Sequence, residues 1–179
     1  MEAGQLQLQG GVEGEVAWLA DAVRVQAGTG LRVGELAALR WSAVNLSRKT
    51  ILVGRDELTK SGHQRTVPIT GDALAVLTRL HGEHGADRNG FVMHGAQRGR
   101  LNKAYYSKRV GLYAERAGLG DDVRSHTLRH VYGAILAEAG VPMFKIQKLM
   151  GHESIQTTVR YYGHLSPNSL QDAIELALG

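Results

Sequence analysis

The sequence predicts a mainly helical α+β domain with a small antiparallel sheet of about three strands. Three observations carry this prediction. Apolar residues recur at helical spacing along most of the chain, in runs opened by a capping residue or proline and closed by glycine. The β-rich runs are few and short: Thr50–Gly54, Gln64–Ile69 and Phe91–Met93. The length, 179 residues with 43% hydrophobic and 21% charged, suits one soluble globular domain with a real core.

Residues 1–11, polar and rich in Gly and Gln, read as a flexible leader, and 12–179 as one domain. Val16, Leu19, Ala20 and Val23 set a helix over Val12–Ala27. Gly28, Thr29 and Gly30 break it, and Thr29 is expected to cap a helix over Leu31–Leu39, where Arg32 and Glu35 share a face. Thr50–Gly54 and Gln64–Ile69 form a hairpin whose loop, Asp56–His63, carries Lys60. Thr70 caps a helix striped by Ala73, Leu74, Val76, Leu77 and Leu80; the polar loop Gly82–Gly90 leads to a third strand at Phe91–Met93. Asn102 caps the next helix, with Tyr106, Val110, Tyr113, Ala114 and Ala117 inward and Gly118 closing it.

The clearest helix carries Leu128, Val131, Tyr132, Ile135 and Leu136 at i, i+3, i+4, i+7, i+8. His126, Arg129 and His130 stand at or near its N-terminus, where unpaired N–H groups and the helix dipole favour an anion. Pro142 opens a helix with Phe144, Ile146, Leu149 and Met150, ended by Gly151. A helix bearing Tyr161 and Tyr162 follows, and after Pro167 a last amphipathic one runs through Leu170, Ile174 and Leu178.

Composition narrows the chemistry. Without cysteine there are no disulfides, thiolate nucleophiles or Cys-based zinc sites. A net charge of +4 permits a polyanionic partner without demanding one. No apolar run reaches the roughly 18–20 residues of a membrane span, and Met1–Gly14 lacks a signal peptide's regions, so a cytoplasmic protein with no membrane partner is expected. His152 and His164 do not form HExxH, and no His/Asp/Glu cluster resembles a catalytic metal cage. Gly28, Gly30 and Gly34 do not make a dinucleotide fingerprint, and Ser107, Ser125 and Ser154 lack a nucleophile elbow. The expectation is no metal, no cofactor and no small-molecule substrate.

What remains is a set suited to a phosphodiester. Always-charged guanidinium forks match phosphate, so Arg32 and Arg129 would clamp it and stabilise the charge that attack adds. A phenol near pKa 10 needs a base before it attacks, and a histidine near 6.5 can serve. The leaving 5′-oxygen needs a proton, which Lys60 on its hairpin could deliver.

In this order the boxes resemble the tyrosine recombinases, the family of phage integrases and Xer-type and Cre-type enzymes. TGLRVGELAALRW is similar to the family's first arginine box, with Arg32 at the catalytic arginine and Glu35 at the accompanying acidic position. TKSGHQRTVP is similar to the β-hairpin box, with Lys60 seven residues before Val67. SHTLRH matches the HxxR box, making His126 a proton carrier and Arg129 the second clamp. LMGHESIQTTVRYYGHL matches the last box, making His152 the third phosphate ligand.

The resemblance covers about residues 12–170 and implies a tyrosine recombinase-like fold, a 3′-phosphotyrosyl intermediate, a free 5′-hydroxyl and no metal or nucleotide. It implies double-stranded DNA as partner, self-assembly as a tetramer on DNA, and integration or excision of a mobile element. A type IB topoisomerase-like enzyme or an inert DNA-binding remnant are the alternatives. Family members usually carry a core-binding domain ahead of the catalytic one; this chain is expected to lack it. The nucleophile stays open between neighbours. Tyr161 stands nine and Tyr162 ten residues after His152, and both spacings occur in the family. His164, two residues past Tyr162, favours Tyr162; continuation of the Ile155/Val159 stripe into Tyr162 argues for a buried structural ring instead.

Overall fold

The computed structural model describes residues 17–54, 64–94 and 99–165. In chain order, α1 is helical over 17–29 and α2 over Val33–Ala38; β1 is Val44–Asn45, β2 Thr50–Val53 and β3 Arg65–Pro68. Then follow α3 Gly71–His84, α4 Lys103–Arg116, α5 Ser125–Glu138, α6 Met143–Met150 and α7 Ile155–Tyr162, with 3-10 turns at Trp41–Ala43 and Gly163–Leu165. The expected class, mainly helical with a small antiparallel sheet, is what the chain adopts.

The sheet has three strands in the order β1-β2-β3, but the third is not where the sequence placed it. Val44–Asn45 fills that position, pairing Val44 with Ile51 and Asn45 with Thr50. Phe91 makes only an isolated bridge to Arg40. Two residues are too few to show alternation, so β1 left no pattern to read. The hairpin itself is as expected, with Ile51 opposite Val67 and Val53 opposite Arg65. Ile51, Val53 and Val67 are buried, which puts Arg65 on the inward face as well.

Thr29 does not cap α2; it ends α1, its hydroxyl donating to Val25 O at 2.5 Å. The N-cap is Arg32, whose N–H is taken by the Glu35 carboxylate at 2.8 Å. Asn102 caps α4 as expected, accepting from Tyr105 N at 3.0 Å.

Two cores result. The larger joins α1, α2, the sheet, α3 and α4 through Val25, Leu36, Ile51, Leu77 and Tyr106. The smaller joins α5, α6 and α7 through Ala137, Ile146, Met150 and Tyr162. The sequence misjudged which face α5 buries. Ser125, Arg129, Gly133 and Ala137 point inward, whereas Val131 and Ile135 are exposed, and so are Phe144 on α6 and Val159 on α7. Apolar periodicity assumes that burial follows hydrophobicity; here α5 is turned to send a charged side chain into the seam between the cores.

Candidate active site

That seam is organised by the C-terminus of α6. Gly151 stands in the left-handed region at φ 63, and its N–H and that of His152 fold back to the carbonyls of Lys148 and Gln147. This Schellman ending satisfies two of the helix's orphan acceptors and leaves the next three carbonyls exposed to other donors. Three arginines from three elements take them. Arg65 Nε donates to Leu149 O at 2.8 Å, Arg129 Nη2 to Met150 O, and Arg32 Nη2 to Gly151 O at 2.6 Å. Arg129 also donates to Gly30 O at 2.6 Å, which lets a guanidinium only 2% exposed lie between the cores.

Glu35 gathers two of these cations. Its carboxylate takes both Arg65 Nη atoms at 2.8 and 2.7 Å, and Arg32 Nη1 at 3.1 Å. Burial alone would raise its pKa, but the hydrogen bonds and charge of Arg65, with those of Arg32, hold it below the usual value. Arg129 is lowered to about 10 by burial and by the neighbouring Arg32 charge, and stays protonated at neutral pH. The Arg32 side chain keeps 41% of its surface exposed.

His152 lies just beyond the helix end, with Nδ1 2.9 Å from the Thr158 hydroxyl. Burial, then the charges of Arg129 and Arg32, lower its pKa to about 4, so the ring is neutral at physiological pH. If the Thr158 hydroxyl donates to Nδ1, the proton of the neutral ring sits on Nε2, where it can be given to a phosphate oxygen. His126 and His130 stack edge to face, ring centroids 4.7 Å apart, and both are pushed down by lost solvation and neighbouring positive charge.

The two tyrosines diverge. Tyr162 is 2% exposed, and its hydroxyl lies 3.1 Å from His130 Nδ1. Burial raises its pKa while the Arg129 charge pulls it back, so the hydroxyl lies within the field of the second clamp. Tyr161 is 48% exposed, its ring 5.2 Å from that of His130. The ring of Tyr162 is seated on Gly133: a Cβ there would lie 2.4 Å from its Cζ.

The structure therefore brings together Arg32, Glu35, Arg129, His152 and Tyr162, with His126 one ring further out. Lys60 lies outside the described residues, as does the last helix expected after Pro167. Arg65 and the contact of His130 are what sequence reading missed. For Arg65 a signal existed: it shares strand parity with the apolar Val67, so a strand face that buries one faces the other inward.

The description "Phage integrase family" matches residues 12–169, and so takes in every box above. The chain belongs to the phage integrase family. Among its curated relatives, a tyrosine recombinase XerC of Xanthomonas axonopodis pv. citri is 32% identical over 149 residues, 83% of this chain and 47% of that protein. The integrase of Staphylococcus phage L54a is 32% identical over 171 residues, 83% of this chain and 48% of its own length. The chain thus spans about half the length of these integrase-family relatives. The Tn1549 transposon integrase, solved in complex with transposon right-end DNA, shares the fold at a TM-score of 0.74 and 21% identity, over 93% of this chain and 65% of that one.

In this phage integrase domain a cleft of about 610 Å³ runs from β3 to the α6–α7 junction, lined by Arg65, Thr66, Lys148, Gly151 and His152 among others. Among the described residues no cluster of His, Cys, Asp or Glu could hold a metal ion, and no helix is long and apolar enough to cross a membrane.

Proposed function

We propose that this chain is the catalytic part of a site-specific tyrosine recombinase that cuts and rejoins double-stranded DNA to integrate or excise a mobile element. One observation carries the reading: two phosphate-matched arginines hold the end of α6 beside the neutral His152, and the Tyr162 hydroxyl lies against His130 within the field of Arg129. Arg32 and Arg129 hold the scissile phosphate and stabilise the added charge, and His152 supplies a further donor. Tyr162 attacks phosphorus, forms a 3′-phosphotyrosyl bond and releases a 5′-hydroxyl whose proton comes from Lys60. Its contact with His130 and its exposure to the Arg129 charge favour Tyr162 over Tyr161 as nucleophile. Self-assembly on DNA, as a tetramer, belongs to the same reading.

Covalent capture tests it. The chain is incubated with a randomised pool of duplexes nicked so that the released strand diffuses away, and adducts are mapped by mass spectrometry. A DNA adduct on Tyr162, and strand exchange when a second captured duplex is added, are expected. No adduct would leave an inert DNA-binding module, and adduct with relaxation but no exchange a topoisomerase-like enzyme.

A further inference from the structure

The reaction needs a base for the phenolic proton, and the histidine the sequence offered for proton work, His126, is not the one at the tyrosine. His130 is, with Nδ1 3.1 Å from the Tyr162 hydroxyl. Its surroundings suit an acceptor. His126 stacks on it from one turn earlier on α5, Arg129 adjoins it in sequence and adds positive charge, and Tyr161 and Tyr162 face it from α7. No carboxylate is among these neighbours to hold a proton on the ring, and positive charge beside it favours the neutral form.

We propose that His130 is a catalytic residue that accepts the Tyr162 proton on Nδ1 as the hydroxyl attacks phosphorus. This rests on the recombinase reading above. In the step, the Tyr162 Oη–H bond breaks and its proton moves to His130 Nδ1. Oη bonds to phosphorus, and the bond from phosphorus to the 5′-oxygen breaks, that oxygen taking its proton from Lys60. In the reverse, rejoining step the 5′-hydroxyl attacks and gives its proton back to Lys60, while His130 returns its proton to the departing phenolate. His130 also accounts for the buried resting position of Tyr162: one hydrogen bond holds the nucleophile on the base that will activate it.

The test uses a nicked duplex recovered by covalent capture on the parent chain, with single-turnover cleavage measured at saturating DNA from pH 6 to 9. His130→Asn keeps a polar atom near the Nδ1 position without its basicity. It should cleave about a hundredfold more slowly at pH 7, with unchanged DNA affinity. Its rate should climb about tenfold per pH unit as the phenol ionises unaided, while the parent's flattens. A 5′-phosphorothiolate leaving group, which needs no acid, should leave the defect intact. Cleavage within threefold of the parent would overturn the proposal, as would rescue by the phosphorothiolate or a variant faster than the parent, which would make His130 a latch. Should His130→Asn not fold, 15N NMR of the parent decides: a proton resident on His130 Nδ1 at pH 7 overturns the proposal, and an unprotonated, hydrogen-bonded Nδ1 upholds it. A parent that captures no duplex overturns the recombinase reading instead, whichever tautomer the NMR shows.

Discussion

Arg65 grips Glu35 with both Nη atoms, so the carboxylate that orients Arg32 is itself oriented by a second arginine. The side chains of Glu35 and Arg65 are only 7% and 11% exposed. Arg65→Ala would leave the buried Glu35 carboxylate with Arg32 alone and free Leu149 O, and breaking a buried pair typically costs about 3–5 kcal/mol. Urea denaturation should show a loss of that order. Arg65→Lys, which keeps charge but not the fork, should recover only part of it. A loss below 1 kcal/mol in Arg65→Ala would mean the pair does not anchor the seam.

Stability should fall with acid in a defined window. His152 titrates near 4 when folded against 6.5 for the ordinary residue, so between those values the unfolded chain binds more protons. The stabilisation is therefore complete above about pH 6.5 and is lost as pH drops toward 4; His126 and His130, also lowered, add in the same direction. Glu35 contributes only further down, below its ordinary 4.5. The urea midpoint of the parent should decline from pH 7 to pH 4, and His152→Gln should flatten that slope.

The tyrosines should separate cleanly. Tyr162→Phe should abolish covalent adduct and, by losing the bond to His130, cost about 1 kcal/mol of stability. Tyr161→Phe, altering a half-exposed ring, should keep both adduct and stability. Adduct that survives in Tyr162→Phe and vanishes in Tyr161→Phe would reassign the nucleophile.

Gly133 leaves the room that the Tyr162 ring occupies. Gly133→Val should drive the ring out of the smaller core, costing about 1–3 kcal/mol by overpacking and lowering adduct yield, with DNA affinity retained. Gly82→Val on α3, where nothing stands within 4 Å of an added Cβ, is the control for the same change in an open helical setting.

Lys60→Ala should slow cleavage of an ordinary phosphodiester by about a hundredfold or more, and a 5′-phosphorothiolate should restore most of the rate. Absence of rescue would remove Lys60 as the general acid.

The family's sequence boxes and the helical order were legible because each rests on local information: a few residues at fixed spacing, a cap, a glycine. Burial of α5 was not, because Val131 and Ile135 made the apolar stripe while Arg129 took the interior. An arginine goes inside only when distant acceptors await it, here Gly30 O and Met150 O, and no window along the chain contains those. The contact between His130 and Tyr162 spans 32 positions and was hidden for the same reason. β1 was lost to brevity alone.

The arginines at the end of α6 hold main-chain oxygens, and a substitution at Leu149 or Met150 leaves those oxygens in place. What the site depends on there is register. Side chains at these two positions are free to drift as far as packing allows, whereas inserting or deleting one residue within α6 would swing the carbonyls by about 100° and uncouple all three arginines together. Length variation among relatives should accordingly collect in the loops and spare this helix.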